Sequence, residues 1–212
     1  MDYGIFTNTK TNKSLVYYPV AKNANSSAKL FFLKHLNLQD NFFFIEDDVP
    51  RHAHNEKLYE QYENKKNLIN FLPPYVPFKK IIADEKCCLI RDPIKRFISS
   101  YKNRILFHKD KNFFDHTVDM ILEKLENDFY ENRHFLPQSY WLGSDLSYFT
   151  IVTNVSNIKP FVDQVNNFFG KIIDFPHIQT SERGLDFELN VNQIKKVKKI
   201  YSRDYDLIGS LI

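Results

Sequence analysis

Apolar positions along the chain follow two periods, and the places where one gives way to the other lay out the elements. Ser14–Tyr18 is an apolar run of strand length, while Ser26–Leu36 sets Ala28, Phe31, Phe32 and His35 on one face at helical spacing. Phe42–Ile45 predicts a second strand. After the polar stretch EDDVPRHAHNEK a helix is expected from Asn55 to about Asn70, and LPPYVPF then breaks regular structure because proline lacks a backbone donor. Lys86–Ile90 reads as a fully buried strand of the kind found in parallel sheets. Asp92 followed by Pro93 is a strong helix start. Beyond it, Ile94, Phe97, Ile98, Tyr101 and Ile105 form an apolar stripe, with Lys95, Arg96, Ser99 and Lys102 off it. Phe113–Leu125 predicts a helix and Tyr148–Val152 a strand. Ile158–Phe169 reads as a helix ended by Gly170, and Val191–Tyr201 as a basic helix capped by Asn190. Strands alternating with helices predict an α/β fold, a three-layer sandwich around a mainly parallel central sheet. Neither a repeat nor a linker divides the sequence, so residues 1–212 are expected to form a single domain.

Composition sharpens this without changing it. With 212 residues, 43% hydrophobic and 26% charged, the chain is long enough for one sizeable core. Lys and Arg exceed Asp and Glu by only 29 to 26, too weak a bias to imply a nucleic-acid partner, so electrostatic function must be local. The two cysteines are adjacent, Cys87 and Cys88, and point to opposite faces of a strand as small hydrophobes. The N-terminal MDYGIFTNTKTNK lacks an apolar core of signal-peptide length, and no stretch is long and apolar enough to span a membrane. A cytoplasmic protein, monomer or homodimer, is expected. No metal-ligand cluster stands out.

The chemistry concentrates in two segments, SLVYYPVAKNANSSAKLFFLKHL (Ser14–Leu36) and CCLIRDPIKRFISSYKNRI (Cys87–Ile105). In each, an apolar strand gives way to basic and hydroxyl residues at the start of a helix. A helix N-terminus carries roughly half a positive charge and several unpaired N–H groups, which favours a phosphate or sulfate there. In the first segment Lys22, Asn23, Ala24, Asn25, Ser26 and Ser27 supply a cation, small residues and hydroxyls. The triphosphate pattern G-x-x-x-x-G-K-[ST] is absent, since there are no glycines and the Lys precedes the hydroxyls. In the second, Arg91 ends the strand and Ser99 lies about two helical turns further on, the pair forming a fork and a hydroxyl suited to one phosphate group. Each segment also reads as ordinary helix capping. Together they suggest one ligand with anionic groups at both ends.

In this order the segments resemble the sulfotransferases that use 3′-phosphoadenosine 5′-phosphosulfate (PAPS), most closely the carbohydrate sulfotransferase branch. VAKNANSSAK is similar to that branch's V-P-K-[TV]-[AG]-x-[ST]-[SN]-x-K loop, and LIRDPIKRFISSYKNR to its [FL]-[VI]-R-[DEN]-P-x-x-R-[FL]-x-S segment. RHFLPQSYWL resembles the H-[WF]-x-P-Q segment, and FPHIQTSERG with IYSRDYDLIG the closing motifs. The resemblance implies a P-loop-like nucleotide-binding architecture. It implies Lys22 against the bridging oxygen of the phosphosulfate and Ser26 and Ser27 on the 5′-phosphate. Arg91 and Ser99 would hold the 3′-phosphate, and Ser181 and Arg183 would complete the donor site. Ala21 stands where the family has Pro, and Asn23 and Asn25 replace residues that are commonly small or apolar. Asparagine tolerates the left-handed angles that such a turn needs.

The expected reaction is in-line transfer of a sulfonate group from PAPS to a hydroxyl of a carbohydrate, with a His general base and no metal. His54 is the first candidate for that base, then His52, both in the polar stretch after the second strand; His134 in RHFLPQ is the third. Two other readings stay open. One is a Mg-ATP-dependent small-molecule kinase; the other is a non-catalytic relative that binds an anionic ligand or glycan.

Overall fold

A computed structural model describes residues 3–40, 43–46, 49–52, 63–65, 67–71, 78–110, 113, 115–127, 132–178 and 186–212. Strand β1 (Gly4–Asn8) forms a hairpin with β2 (Lys13–Tyr18), and helix α1 (Asn25–His35) follows β2. A separate hairpin joins β3 (Phe43–Glu46) to β4 (Val49–His52). Strand β5 (Ile69–Phe71), strand β6 (Glu85–Ile90) and helix α2 (Pro93–Tyr101) come next, and α2 runs into a π-helical turn, Lys102–Phe107. The rest comprises α3 (Val118–Glu126), α4 (Gln138–Leu142), β7 (Ile151–Asn154), α5 (Lys159–Phe169), α6 (Val191–Ile200) and α7 (Ser202–Ile208).

The main sheet has the order β5-β1-β2-β6-β7. It is mixed rather than mainly parallel: β1 runs antiparallel to both β2 and β5, while β2–β6 and β6–β7 are parallel. Alternation along β2 and β6 builds two cores. Leu15, Tyr17, Cys87 and Leu89 face α1 and α5, where Phe31, Phe32 and Phe161 pack. Val16, Tyr18, Cys88 and Ile90 face the other way, onto Trp141 and Leu142 of α4 and Ile208 of α7. Helices thus cover both faces of the sheet, and the two cysteines do point oppositely. A third cluster packs α2, α3 and α6 together through Phe97, Tyr101, Ile121, Leu122 and Val197.

Several expected elements shift, each for a local reason. The helix expected to reach Asn70 gives way at its end to β5, which pairs Ile69 with Phe6 of β1 and buries it; residues 53–62 lie outside the described part. The helix expected from Phe113 begins only after Thr117, whose side chain accepts the N–H of Met120. Tyr148 sits in a 3₁₀ turn capped by Asp145, so β7 starts at Ile151. Helix α2 starts as expected, with Asp92 accepting the N–H of Lys95 at 2.9 Å, and α6 carries a full capping box between Asn190 and Gln193.

Candidate active site

Because β2 and β6 are adjacent and parallel, with Tyr18 beside Cys88, the chain leaves both strands at the same end of the sheet. Ligands in open α/β sheets bind at that carboxyl end. From β2 the backbone turns at Val20–Asn23, where Asn23 N–H donates to Val20 O at 3.2 Å. Left-handed angles fall on Lys22 (φ 67°) and Ala24 (φ 55°), not on the asparagines. Asn23 instead buries its amide completely, donating from Nδ2 to Leu89 O at 2.8 Å and to Gln138 Oε1 at 2.7 Å. Helix α1 then begins with no side chain capping its N-terminus. Ser27, on the first turn, accepts the N–H of Ile178 at 3.2 Å, which ties the chain leading to Ser181 and Arg183 to the start of α1.

The second segment differs from the first, since its helix end is closed by its own residue, Asp92. An anion on this side must therefore meet side chains. Arg91 Nη1 donates to Lys22 O at 2.9 Å, so the two segments touch directly. Ser99 is buried on α2. Arg96, which the apolar stripe places on the polar side, is in fact 1% exposed. Its guanidinium donates to Ala21 O at 3.0 Å, to His134 O at 3.2 Å and to Leu136 O. Burial lowers its pKa, and the charges of Tyr201 and Asp204 oppose the shift. Ser100, also buried, donates to His134 O at 2.8 Å.

These bonds bring in a third segment, Asn132–Gln138. Asn132 caps a 3₁₀ turn over Arg133–Phe135 and approaches His134 Nδ1 at 2.9 Å through Oδ1. The amide's orientation is fixed from its other end, where Nδ2 donates to Asp110 Oδ2 at 2.7 Å, and a carboxylate only accepts. Oδ1 is therefore the atom facing the imidazole, Nδ1 carries the proton, and Nε2 is left as an acceptor. Asp110 is gripped by Arg104 through two bonds at 2.7 and 2.5 Å. Arg104 belongs to the π-helical turn after α2, a distortion found often at functional sites. Burial and the charges of Arg104, Lys22, Arg133 and Arg96 lower the pKa of His134 to about 2, so its ring is neutral.

Of the residues expected to bind donor, Lys22, Asn23 and Arg91 share one hydrogen-bonded unit, with His134 close enough to feel the Lys22 charge, and Ala24 follows in the same turn. Asn25, Ser26 and Ser27 start α1 beside them. His54, Ser181 and Arg183 lie outside the described residues, and for His52 only the backbone, in β4, is described. The sequence reading gave no role to Arg96, Gln138 or Asp204, although all three stand in the quoted motifs. Arg104 closes the quoted LIRDPIKRFISSYKNR stretch but was likewise given no role, while Asp110 and Asn132 lie outside the quoted motifs; the bonds among them depend on a π-helical turn that no periodicity marks.

Among the described residues no group of three or more His, Cys, Asp or Glu side chains could hold a metal ion, and no helix is long and apolar enough to cross a membrane. No curated protein and no solved structure matches the chain. A family model for sulfotransferases does match, over residues 6–209, a span that takes in the end of β1, the Ser14–Leu36 and Cys87–Ile105 segments, the His134–Gln138 stretch and α7; the chain belongs to the sulfotransferase family.

Proposed function

We propose that the protein transfers a sulfonate group from PAPS to a hydroxyl acceptor, a sugar hydroxyl by its resemblance to the carbohydrate branch. The observation that carries this reading is the bond from Arg91 Nη1 to Lys22 O across the ends of two parallel strands, beside a helix N-terminus that no side chain caps. One dianionic nucleotide end fits the P-loop-like turn at Lys22 and the start of α1; the other fits Arg91 and Ser99. During transfer the bond from sulfur to the 5′-phosphate oxygen breaks as the acceptor oxygen bonds to sulfur. Negative charge gathers on the departing phosphate, and a cation at Lys22 stabilises that charge more in the transition state than in the ground state.

The acceptor's proton needs a base. His134 is the candidate the geometry favours, because Asn132 holds the tautomer that leaves Nε2 open to a proton. Burial, with four nearby cations, keeps that ring neutral, and the negative charges of a bound donor would offset the cations and raise its proton affinity. His52, in β4, and His54, two residues further along the sequence, remain the alternatives.

The test is a thermal-shift titration with adenosine 3′,5′-bisphosphate against ATP with Mg²⁺, followed by transfer assays on Lys22→Ala. The bisphosphate should raise the melting temperature where Mg-ATP does not. Lys22→Ala should stay folded and lose sulfonate transfer. Stabilisation by Mg-ATP alone, or full activity in Lys22→Ala, would overturn the proposal.

A further inference from the structure

Gln138, the first residue of α4, is completely buried, and its amide stands between the two anion-binding segments. Oε1 accepts from Asn23 Nδ2 at 2.7 Å and from the backbone N–H of Arg91 at 3.1 Å, while Nε2 donates to Arg91 O at 2.8 Å. One side chain therefore grips Arg91 by both its backbone N–H and its carbonyl, and fastens it to the turn that carries Lys22. The backbone under Gln138 is fixed in its own right. Asp204 of α7, itself fully buried, accepts the N–H of Gln138 at 2.7 Å and that of Ser139 at 2.8 Å. Asn23 adds a second tie, to Leu89 O at the end of β6.

This inference rests on the donor reading above. We propose that Gln138, seated on Asp204, is a positioning residue that sets the separation between the phosphosulfate turn and the 3′-phosphate arginine, so that the two anionic ends of the donor bind as one unit. A ligand anchored at both ends gains from the second anchor only if the two sites already stand at the right distance; otherwise ordering them consumes the gain. Both segments are the ends of strands, where backbone is least constrained. The direct link between them, Arg91 Nη1 to Lys22 O, uses the same guanidinium that a phosphate would engage. The Gln138 amide makes the connection through backbone and through Asn23, and so leaves that guanidinium to the ligand.

The experiment measures the affinities of adenosine 3′,5′-bisphosphate and adenosine 5′-monophosphate for the full chain and for Gln138→Met, Gln138→Glu and Asp204→Asn. In the parent protein the 3′-phosphate strengthens binding by a measurable ratio. In Gln138→Met that ratio should shrink about fivefold or more, while 5′-monophosphate binding changes little. Gln138→Glu keeps an acceptor for Asn23 and for the Arg91 N–H but loses the donor to Arg91 O, so it should fall between the two. Should the loss of a buried amide unfold Gln138→Met, the conservative Gln138→Glu and Asp204→Asn are read by the same ratio. Equal weakening of both ligands, with the ratio intact, means Gln138 serves only stability and overturns the proposal. A parent protein that does not distinguish the two nucleotides overturns the donor reading itself.

Discussion

At the scale of single residues, two histidines show how surroundings decide what an imidazole does. His134 is buried among Arg104, Lys22, Arg133 and Arg96, and those charges with burial hold it far below the usual histidine range. In an NMR titration it should stay neutral down to about pH 4, and adenosine 3′,5′-bisphosphate should move its midpoint up by about one unit or more as the cations are offset. His134→Ala should then cut transfer by about 10²–10⁴-fold with bisphosphate binding retained. A midpoint that ignores the ligand would remove His134 from the base role. His35 has no such task. It is buried on α1, stacked on Phe169 at 4.7 Å and edge-on to Phe31 at 4.8 Å, and burial with the nearby Lys171 charge lowers its pKa to about 4. A depressed histidine favours folding only while neutral. Its contribution is complete above the unfolded value of about 6.5 and is lost as pH falls towards 4, a loss of about 2–3 kcal/mol. His35→Leu should flatten the fall in melting temperature between pH 7 and pH 4; an unchanged acid slope would exclude His35 as its cause.

Among the elements, the informative joint is the one between α2 and the two segments laid over it. Arg96 lies one turn into the helix and satisfies carbonyls from both Ala21 and the His134–Leu136 stretch. Though the charge of Asp204 acts on it, its guanidinium bonds to backbone oxygens, and removing it would leave those oxygens unpaired. Arg96→Met should lower stability by about 3 kcal/mol, measured by chemical denaturation, and Arg96→Lys should restore little because a point ammonium cannot span three carbonyls set in a fork. A denaturation midpoint equal to the parent's in either variant would contradict this account. The same joint explains what sequence patterning could and could not reveal. The stripe Ile94, Phe97, Tyr101 marked the apolar face of α2 correctly, and the Asp92–Pro93 start lies where it was expected. Arg96 read as solvent-facing because a charged residue off an apolar stripe normally is; only the third segment, distant in sequence, makes a buried seat for it.

On the whole-molecule scale, β2 and β6 were legible because both faces of each strand are buried, which leaves continuous apolar runs. β1 was not, since the inward positions beside Phe6 are Gly4 and Asn8, and Asn8 satisfies itself on Phe168 O rather than by being apolar. Missing β1 and β5 is why a mainly parallel sheet was expected where a mixed one exists. Lys22 and Arg91, the residues proposed for the two ends of the donor, stood out as residue types because each is a basic residue at a strand end, and the structure brings them together. Gln138 and Asp204 both stood in the quoted motifs, but their pairing did not show, because an amide and a carboxylate far apart in sequence carry no period. Lys22 itself has one more implication. Its backbone lies in the left-handed region, which costs an ordinary residue about 1–2 kcal/mol, while glycine there loses part of that saving to its own flexibility. Lys22→Gly should therefore match or exceed the parent in stability, by up to about 1 kcal/mol, and melt no lower than the parent, while transferring no sulfonate. A melting temperature below that of Lys22→Ala would refute this. On the proposed function the position trades stability for activity, so selection for a hardier fold alone would erode the residue assigned to the departing phosphate.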